Sequence, residues 1–365
     1  MFFKPFFVLL AALTGICFLP RTGHAAEDES RSKEVQVAFN ASCNVSPNDS
    51  WLAFEGNPAC KKNKKIVLIS GDEEYRSEEE LTQLAGILSL RHGFDTVVLF
   101  AIDPRTGYVD PTRHDNIPGL SNLRDADLVI LSIKVKTLPD DQLVFFLDYL
   151  RRGGPILALR TATHAFRYPE ESPYNWLSFR YEGERADWHG GFGRKILGET
   201  WVAHHAHQRV NATRAVITPQ GQRHPVLQGV GDIVVPTDLY SVRLPMSDDC
   251  TVLCQGLALE TMSPDSPPLP GPVNDPKMPL VWTKPYSFDD GPEGRTLTTT
   301  MGSAEDLLQP GFRRLLVNAA YWLTGMTAPE NLVADTVGQY RPSRYAFGGH
   351  KKDMRPISLI DTTTD

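Results

Sequence analysis

Residues 65–101 read KIVLISGDEEYRSEEELTQLAGILSLRHGFDTVVLFA: two short apolar runs with a helical pattern between them. Lys65 to Ser70 follows a basic cluster and is apolar at every central position, as is Asp95 to Ala101. Ser77 and Glu80 stand at capping-box spacing and predict a helix from Ser77 to Arg91. The unit then repeats. Asp127 to Ile133 (DLVILSI) is a third strand run, Pro139 to Arg152 an amphipathic helix with proline in its first turn, and Pro155 to Leu159 (PILAL) a fourth strand. Strands apolar on both faces that alternate with helices predict an α/β fold, a doubly wound, mostly parallel sheet covered on both sides.

After residue 165 the rhythm loosens. Candidate strands are Ala215 to Thr218, Leu239 to Leu244, Val252 to Leu259, Pro279 to Thr283 and Arg295 to Met301, followed by a helix from Asp306 to Thr324. The proline-rich stretch from Ser263 to Pro279 reads as a surface loop, and no internal repeat is present. The last strand and helix can join the same sheet, so one domain with insertions is expected over residues 63–326, with a C-terminal tail at 327–365.

The first 25 residues read as a signal peptide. Lys4 supplies the positive charge, Phe6 to Leu19 is apolar apart from Thr14 and Gly15, Pro20 and Arg21 end the run, and Gly23 and Ala25 are small residues at the cleavage site. Ile16 before Cys17 does not fit a lipoprotein signal. Export to the periplasm or medium is the expectation, with no stable membrane insertion after cleavage. The chain carries 37 basic and 44 acidic residues, and losing Lys4 and Arg21 makes it more acidic still. Nucleic acid is therefore disfavoured as a partner. Four cysteines remain, at 43, 60, 250 and 254. Cys43 with Cys60 would staple the weakly patterned extension at residues 26–62, whereas Cys250 and Cys254 stand about 13 Å apart along a strand and need a turn to pair.

In an open parallel sheet, ligands bind beyond the carboxyl ends of the strands. The first strand leads into Gly71-Asp72-Glu73-Glu74-Tyr75-Arg76, whose carboxylates suit a base or sugar-hydroxyl contacts. Lys134 and Lys136 after the third strand read as solvated. The fourth strand breaks abruptly into Arg160-Thr161-Ala162-Thr163-His164. Hydrolases and amidotransferases hold a nucleophile at such a turn, but this one has neither Cys nor Ser, leaving Arg160 to stabilise an anion and His164 to act as acid or base. A third cluster, Glu199-Thr200-Trp201-Val202-Ala203-His204-His205-Ala206-His207, gathers three of the ten histidines. In an extended segment His205 and His207 share one side and His204 takes the other, so no more than two reach a common metal without a bend. Glu199, Asp72 and Asp238 are the candidate third ligands. Asp238, Tyr240 and Trp282 lie at later strand edges, where Trp282 offers a sugar platform or a core residue.

Several segments resemble the secreted ThuA-like, or trehalose-utilisation, proteins: IVLISGDEEYRSEEE, LRTATHAF, LGETWVAHHAHQ, PTDLYSVRLP, TTTMGSAEDLLQPGFRRLLVNAAYWLTGM and the tail VGQYRPSRYAFGGHKK. The likeness spans roughly residues 60 to 350. It implies a flavodoxin-like domain similar to class I glutamine amidotransferases and a part in carbohydrate, including keto-sugar, metabolism. In the amidotransferase relatives the turn after the fourth strand holds the nucleophilic cysteine; Arg160-Thr161 stand there in this chain, so amidase chemistry does not carry over. His164 is the nearest match to a histidine that trehalose-utilisation relatives place near this turn.

Three functions compete. One is an enzyme acting on an oligosaccharide or keto-sugar as a glycoside hydrolase, lyase or isomerase. It would use His164 or His205 as base, Arg160 for developing negative charge and Glu74 or Asp238 for acid or hydroxyl contacts, with Asp72, Thr161, Glu199, His204 and Trp282 also lining the site. The second is a carbohydrate-binding module that lost the nucleophile. The third is a metal-dependent hydrolase built on His204 to His207. No cofactor is expected for the first two.

Overall fold

A computed structural model describes residues 49–361, so the signal segment and Cys43, with its expected bridge to Cys60, lie outside the described residues. In chain order the main elements are β1 (Trp51–Phe54), β2 (Lys65–Gly71), α1 (Ser77–Gly86), β3 (Asp95–Phe100), β4 (Leu128–Ile133), α2 (Asp140–Arg151) and β5 (Ile156–Leu159). There follow α3 (Gly191–Leu197), β6 (Ala203–His204), β7 (Thr213–Ile217), β8 (Val234–Val235), β9 (Tyr240–Ser241), β10 (Thr251–Ala258), β11 (Pro279–Tyr286), β12 (Gly294–Thr299), α4 (Pro310–Leu323) and α5 (Ser358–Asp361). A wider helical turn, Ile87–Arg91, extends α1.

Ten strands form one sheet in the order β1-β3-β2-β4-β5-β12-β11-β10-β7-β8. Its centre, β3-β2-β4-β5-β12, is parallel, with Ile66 opposite Leu128 and Thr296 opposite Ile156. This is the α/β sheet that the apolar runs predict. Beyond β12 the sheet turns antiparallel through β11, β10, β7 and β8. Helices α1 and α4 cover one face, with Leu81, Leu84, Phe312 and Leu316 packed on Leu68, Ile130 and Leu297. On the other face α2 and α3 place Leu143, Phe146, Phe192 and Ile196 against Val67, Val129 and Ala158.

The structure departs from the sequence reading at four places. The capping box is not formed: Arg76, in a left-handed conformation, precedes the helix without a side-chain cap. Ser77 instead exchanges a hydrogen bond with Ser70 at 2.8 Å and accepts the Asp72 amide at 3.0 Å. Part of the expected N-terminal extension is β1, which pairs antiparallel with β3. The expected strand from Leu239 to Leu244 shrinks to the two residues of β9, paired with β6. The tail is not peripheral either, since Leu332, Val337, Tyr345, Leu359 and Ile360 are buried, four of them in the α1/α4 core. Cys250 and Cys254 are free thiols, Cys254 buried along β10.

Candidate functional site

The parallel strands deliver β2 into Asp72–Arg76, β4 into Lys134, β5 into Arg160 and β12 into Thr300 at one edge of the sheet. Arg160 is the hub. Its φ of +35° lies in the left-handed region, which costs a β-carbon-bearing residue about 1–3 kcal/mol. Hydrogen bonds offset that strain. One terminal nitrogen donates to the carbonyls of Asp238 (3.0 Å) and Thr300 (2.8 Å), the other to the Tyr75 hydroxyl (2.9 Å) and the Asp238 carboxylate (2.7 Å). The guanidinium also lies 4.1 Å from the Tyr75 ring centre. With only 1% of its surface exposed and both terminal nitrogens engaged, Arg160 is left with only its Nε unpartnered among the described residues, and that atom is buried. The expectation that it stabilises charge on a substrate is corrected: it is a positioning residue.

What it positions is Asp238, also buried. One carboxylate oxygen meets Arg160 and the other meets His204 Nδ1 at 2.8 Å. Burial pushes the Asp238 carboxyl upward, but Arg160 and His204 outweigh it and hold it below the usual range. His204 moves the opposite way: the Asp238 hydrogen bond outweighs desolvation and raises its pKa. Its side chain is 42% exposed, and its second ring nitrogen makes no hydrogen bond among the described residues. A carboxylate that orients one imidazole nitrogen while the other faces solvent is the arrangement of a general acid or base.

The other predicted residues separate into those beside this pair and those that are not. His164 is buried against Phe179 and Trp201, with ring centres 5.7 and 5.4 Å away, and Trp201 also meets His204 edge-on at 5.9 Å. Desolvation first, then Lys134 and Arg160, drives the His164 pKa well below the ordinary histidine value, which favours the neutral ring. Glu74 is buried, with one oxygen 2.9 Å from Lys134 Nζ and the other accepting from Gln208, which also donates to Tyr75. Lys134 is not solvated as expected; it is 14% exposed and bridges Glu73 and Glu74. Lys136 is buried outright, donating to the carbonyls of Pro111 and Arg113.

Asp72 and Thr161 meet each other, at 2.7 Å, but with no exposed surface they form the floor beneath the site rather than a sugar contact. Burial, reinforced by Glu73, raises the Asp72 carboxyl to about 6. His205 turns away: its Nε2 lies 2.5 Å from the carbonyl of Val273, on the Pro-rich loop. Glu199 is held by the Thr200 amide (3.1 Å) and Arg194 (3.3 Å), apart from the Arg160 network. Trp282 is corrected from platform to core: it has no exposed surface, and its indole donates to the Leu197 carbonyl at 2.7 Å. The histidine cluster does not converge, and among the described residues no group of three or more His, Cys, Asp or Glu is arranged to hold a metal. Lys134 was read from the sequence as solvated, and Tyr75, Gln208 and Trp201 were given no role. Only their place within or beside the quoted motifs, at strand ends or near His204, could have flagged them.

A family model described as ThuA, trehalose utilisation, matches residues 106–323. Among solved structures, a ThuA-like protein from Parabacteroides merdae is 20% identical and covers 77% of this chain and 98% of its own, with a TM-score of 0.45. A second, from Bacteroides uniformis, is 16% identical over 73% of this chain and 95% of its own, with a TM-score of 0.44. An exo-beta-1,4-mannosidase from an Opitutaceae bacterium is 12% identical over 73% of this chain and 37% of its own, at 0.32. No curated protein matches.

Proposed function

On the premise that the chain belongs to the ThuA, trehalose-utilisation family, we propose that it is an exported enzyme acting on an oligosaccharide or a keto-sugar by acid–base chemistry, with His204 moving the proton. The observation that carries this reading is the Arg160–Asp238–His204 relay, which ends on a half-exposed imidazole at the carboxyl edge of the parallel sheet. Two histidines that both contact Trp201 are pushed apart in basicity, His204 upward and His164 downward. Groups shifted apart in this way divide acid–base labour. His204 exchanges a proton with a sugar hydroxyl or with the carbon beside a carbonyl, and neutral His164 supplies a hydrogen bond to a hydroxyl or carbonyl oxygen. Neither role needs a cysteine nucleophile, which the turn at Arg160-Thr161 lacks.

The test is turnover. The purified protein is offered maltose, cellobiose and trehalose together with their 3-keto forms, and products are followed by chromatography. The expected result is conversion of at least one member, lowered about 10²–10⁴-fold in His204→Ala. Full activity in a folded His204→Ala variant overturns the assignment of His204. Saturable sugar binding without any product supports instead the non-catalytic binding module.

A further inference from the structure

One large apolar side chain stands out of the surface beside this site. Phe347 is 66% exposed, the most exposed of the large hydrophobic residues among those described. Leaving a phenylalanine this exposed forgoes most of the favourable burial its ring could gain. Yet the backbone that carries it is firmly tied. The amide of Ser343 donates to Glu79 (2.7 Å), that of Tyr345 to Glu305 (3.0 Å) and that of Ala346 to the Glu74 carbonyl (2.9 Å). The Tyr345 ring packs 5.1 Å from Tyr75 and its hydroxyl donates to the Pro236 carbonyl at 3.1 Å. Phe347 is thereby presented to solvent from a fixed support, with the Lys134 ammonium 4.7 Å from its ring centre. Lys134 is the residue that joins Glu73 to Glu74 and bears on His164.

A chain of contacts follows: Phe347 on Lys134, Lys134 on Glu74, Glu74 on Gln208, Gln208 on Tyr75, and from Tyr75 through Arg160 and Asp238 to His204, which with His164 lies against half-buried Trp201. Of these polar groups Lys134, Gln208 and His204 keep exposed surface, and such groups with an aromatic ring at each end match the two surfaces of a sugar, whose C–H faces pack on rings and whose hydroxyls need polar partners. We propose that Trp201 and Phe347 are the two aromatic walls of one sugar-binding cleft, and that the C-terminal segment 343–349 thereby sets which glycoside the site accepts. This rests on the reading of the site as a sugar site.

Quenching of tryptophan fluorescence by the same disaccharides and 3-keto disaccharides measures binding in wild type, Phe347→Ala, Phe347→Trp and Trp201→Phe. Phe347→Ala is expected to weaken the best-bound sugar roughly tenfold and to leave the melting temperature in place, because the side chain makes few apolar contacts to lose. Phe347→Trp is expected to retain binding and shift the order of preference across the panel. Unchanged affinity and preference in a folded Phe347→Ala variant, with wild type binding sugar, overturns the wall assignment while the sugar reading stands. A fall in oligomer size in Phe347→Ala with unchanged sugar affinity also overturns it, and marks Phe347 as a contact between proteins. If wild type neither binds nor converts any member of the panel, the sugar reading fails and the walls fail with it.

Discussion

The loop after β2 and the segment from Trp201 to Gln208 make the same chemical offer in sequence, a dense set of titratable side chains at the edge of an α/β sheet, and the fold treats them in opposite ways. Asp72, Glu74, Arg76, Glu78 and Glu80 are all drawn under the surface; Asp72 and Glu74 find hydrogen-bond partners there, while Arg76, Glu78 and Glu80 keep buried polar atoms without one among the described residues. The histidine segment stays outside and reaches buried anchors with His204, on Asp238, and with Gln208, on Glu74 and Tyr75. The difference lies in what surrounds them. The β2 loop enters α1, which is closed over by the tail, whereas the histidines sit on a two-stranded ribbon of β6 and β9 with water on one side. The lesson is that titratable density marks a neighbourhood, and exposure decides which member can meet a substrate.

That contrast can be broken most forcefully at Arg160. Arg160→Ala strips Asp238 of its buried cation and leaves the Thr300 carbonyl and Tyr75 hydroxyl without their donor, and breaking a buried pair this way costs about 3–5 kcal/mol. Chemical denaturation should show a loss of that size; a loss under 1 kcal/mol would show that the hub is not structural. Trp282→Ala should cost a similar or slightly smaller amount, about 3–5 kcal/mol for an emptied aromatic site. Trp282→Phe should leave sugar affinity unchanged, and a selective loss of affinity there would restore the platform reading.

On the exposed side the balance is reversed. His204→Ala should move stability by less than about 0.5 kcal/mol, as surface changes do, while removing activity. Asp238→Asn tests the coupling: without the carboxylate, the alkaline displacement of the His204 pKa from its ordinary 6.5 should disappear, which NMR titration of the imidazole protons reads directly. If the His204 pKa does not fall, the pair is not electrostatically joined.

The smallest effect belongs to Glu80. Burial, with Asp306 and Asp72 adding to it, raises its pKa well above the carboxylate range, and its nearest partner is Ser132 at 3.5 Å. A folded-state pKa above the unfolded value means that the native protein binds the extra proton. This contribution to stability is therefore full below the unfolded value and declines as pH rises through the folded one. Glu80→Gln should leave the melting temperature near that of wild type at pH 5 and exceed it increasingly toward alkaline pH. Parallel curves for the two proteins from pH 5 to 9 would mean that Glu80 titrates normally.

Much of this was legible in the residues. The runs KIVLIS, DTVVLFA, DLVILSI and PILAL fell on β2, β3, β4 and β5 within a residue or two, because a strand buried on both faces must be apolar throughout. Strand ends also pointed to the turn at Arg160 and to the histidines near Trp201, which the fold joins through Asp238. Roles within that neighbourhood were not legible. Local spacing gave Ser77 and Glu80 a capping box, but long-range partners, Ser70 and Ser132, claimed their side chains. Trp282 lay at a strand edge in sequence and in the core in space, since β11 is covered by α3 and its neighbours.

By itself, then, the sequence determined the α/β class, the parallel centre of the sheet and the edge at which polar loops gather. Each of these follows from hydrophobic periodicity, a property of neighbours along the chain. Only tertiary structure decided that Arg160 is spent on Asp238, that His204 and not His205 reaches Asp238, and that a tail residue 143 positions after His204, Phe347, stands beside Lys134. Those outcomes depend on partners 78, 34 and more residues away, and hydrogen-bond competition among such partners leaves no periodic trace in the chain.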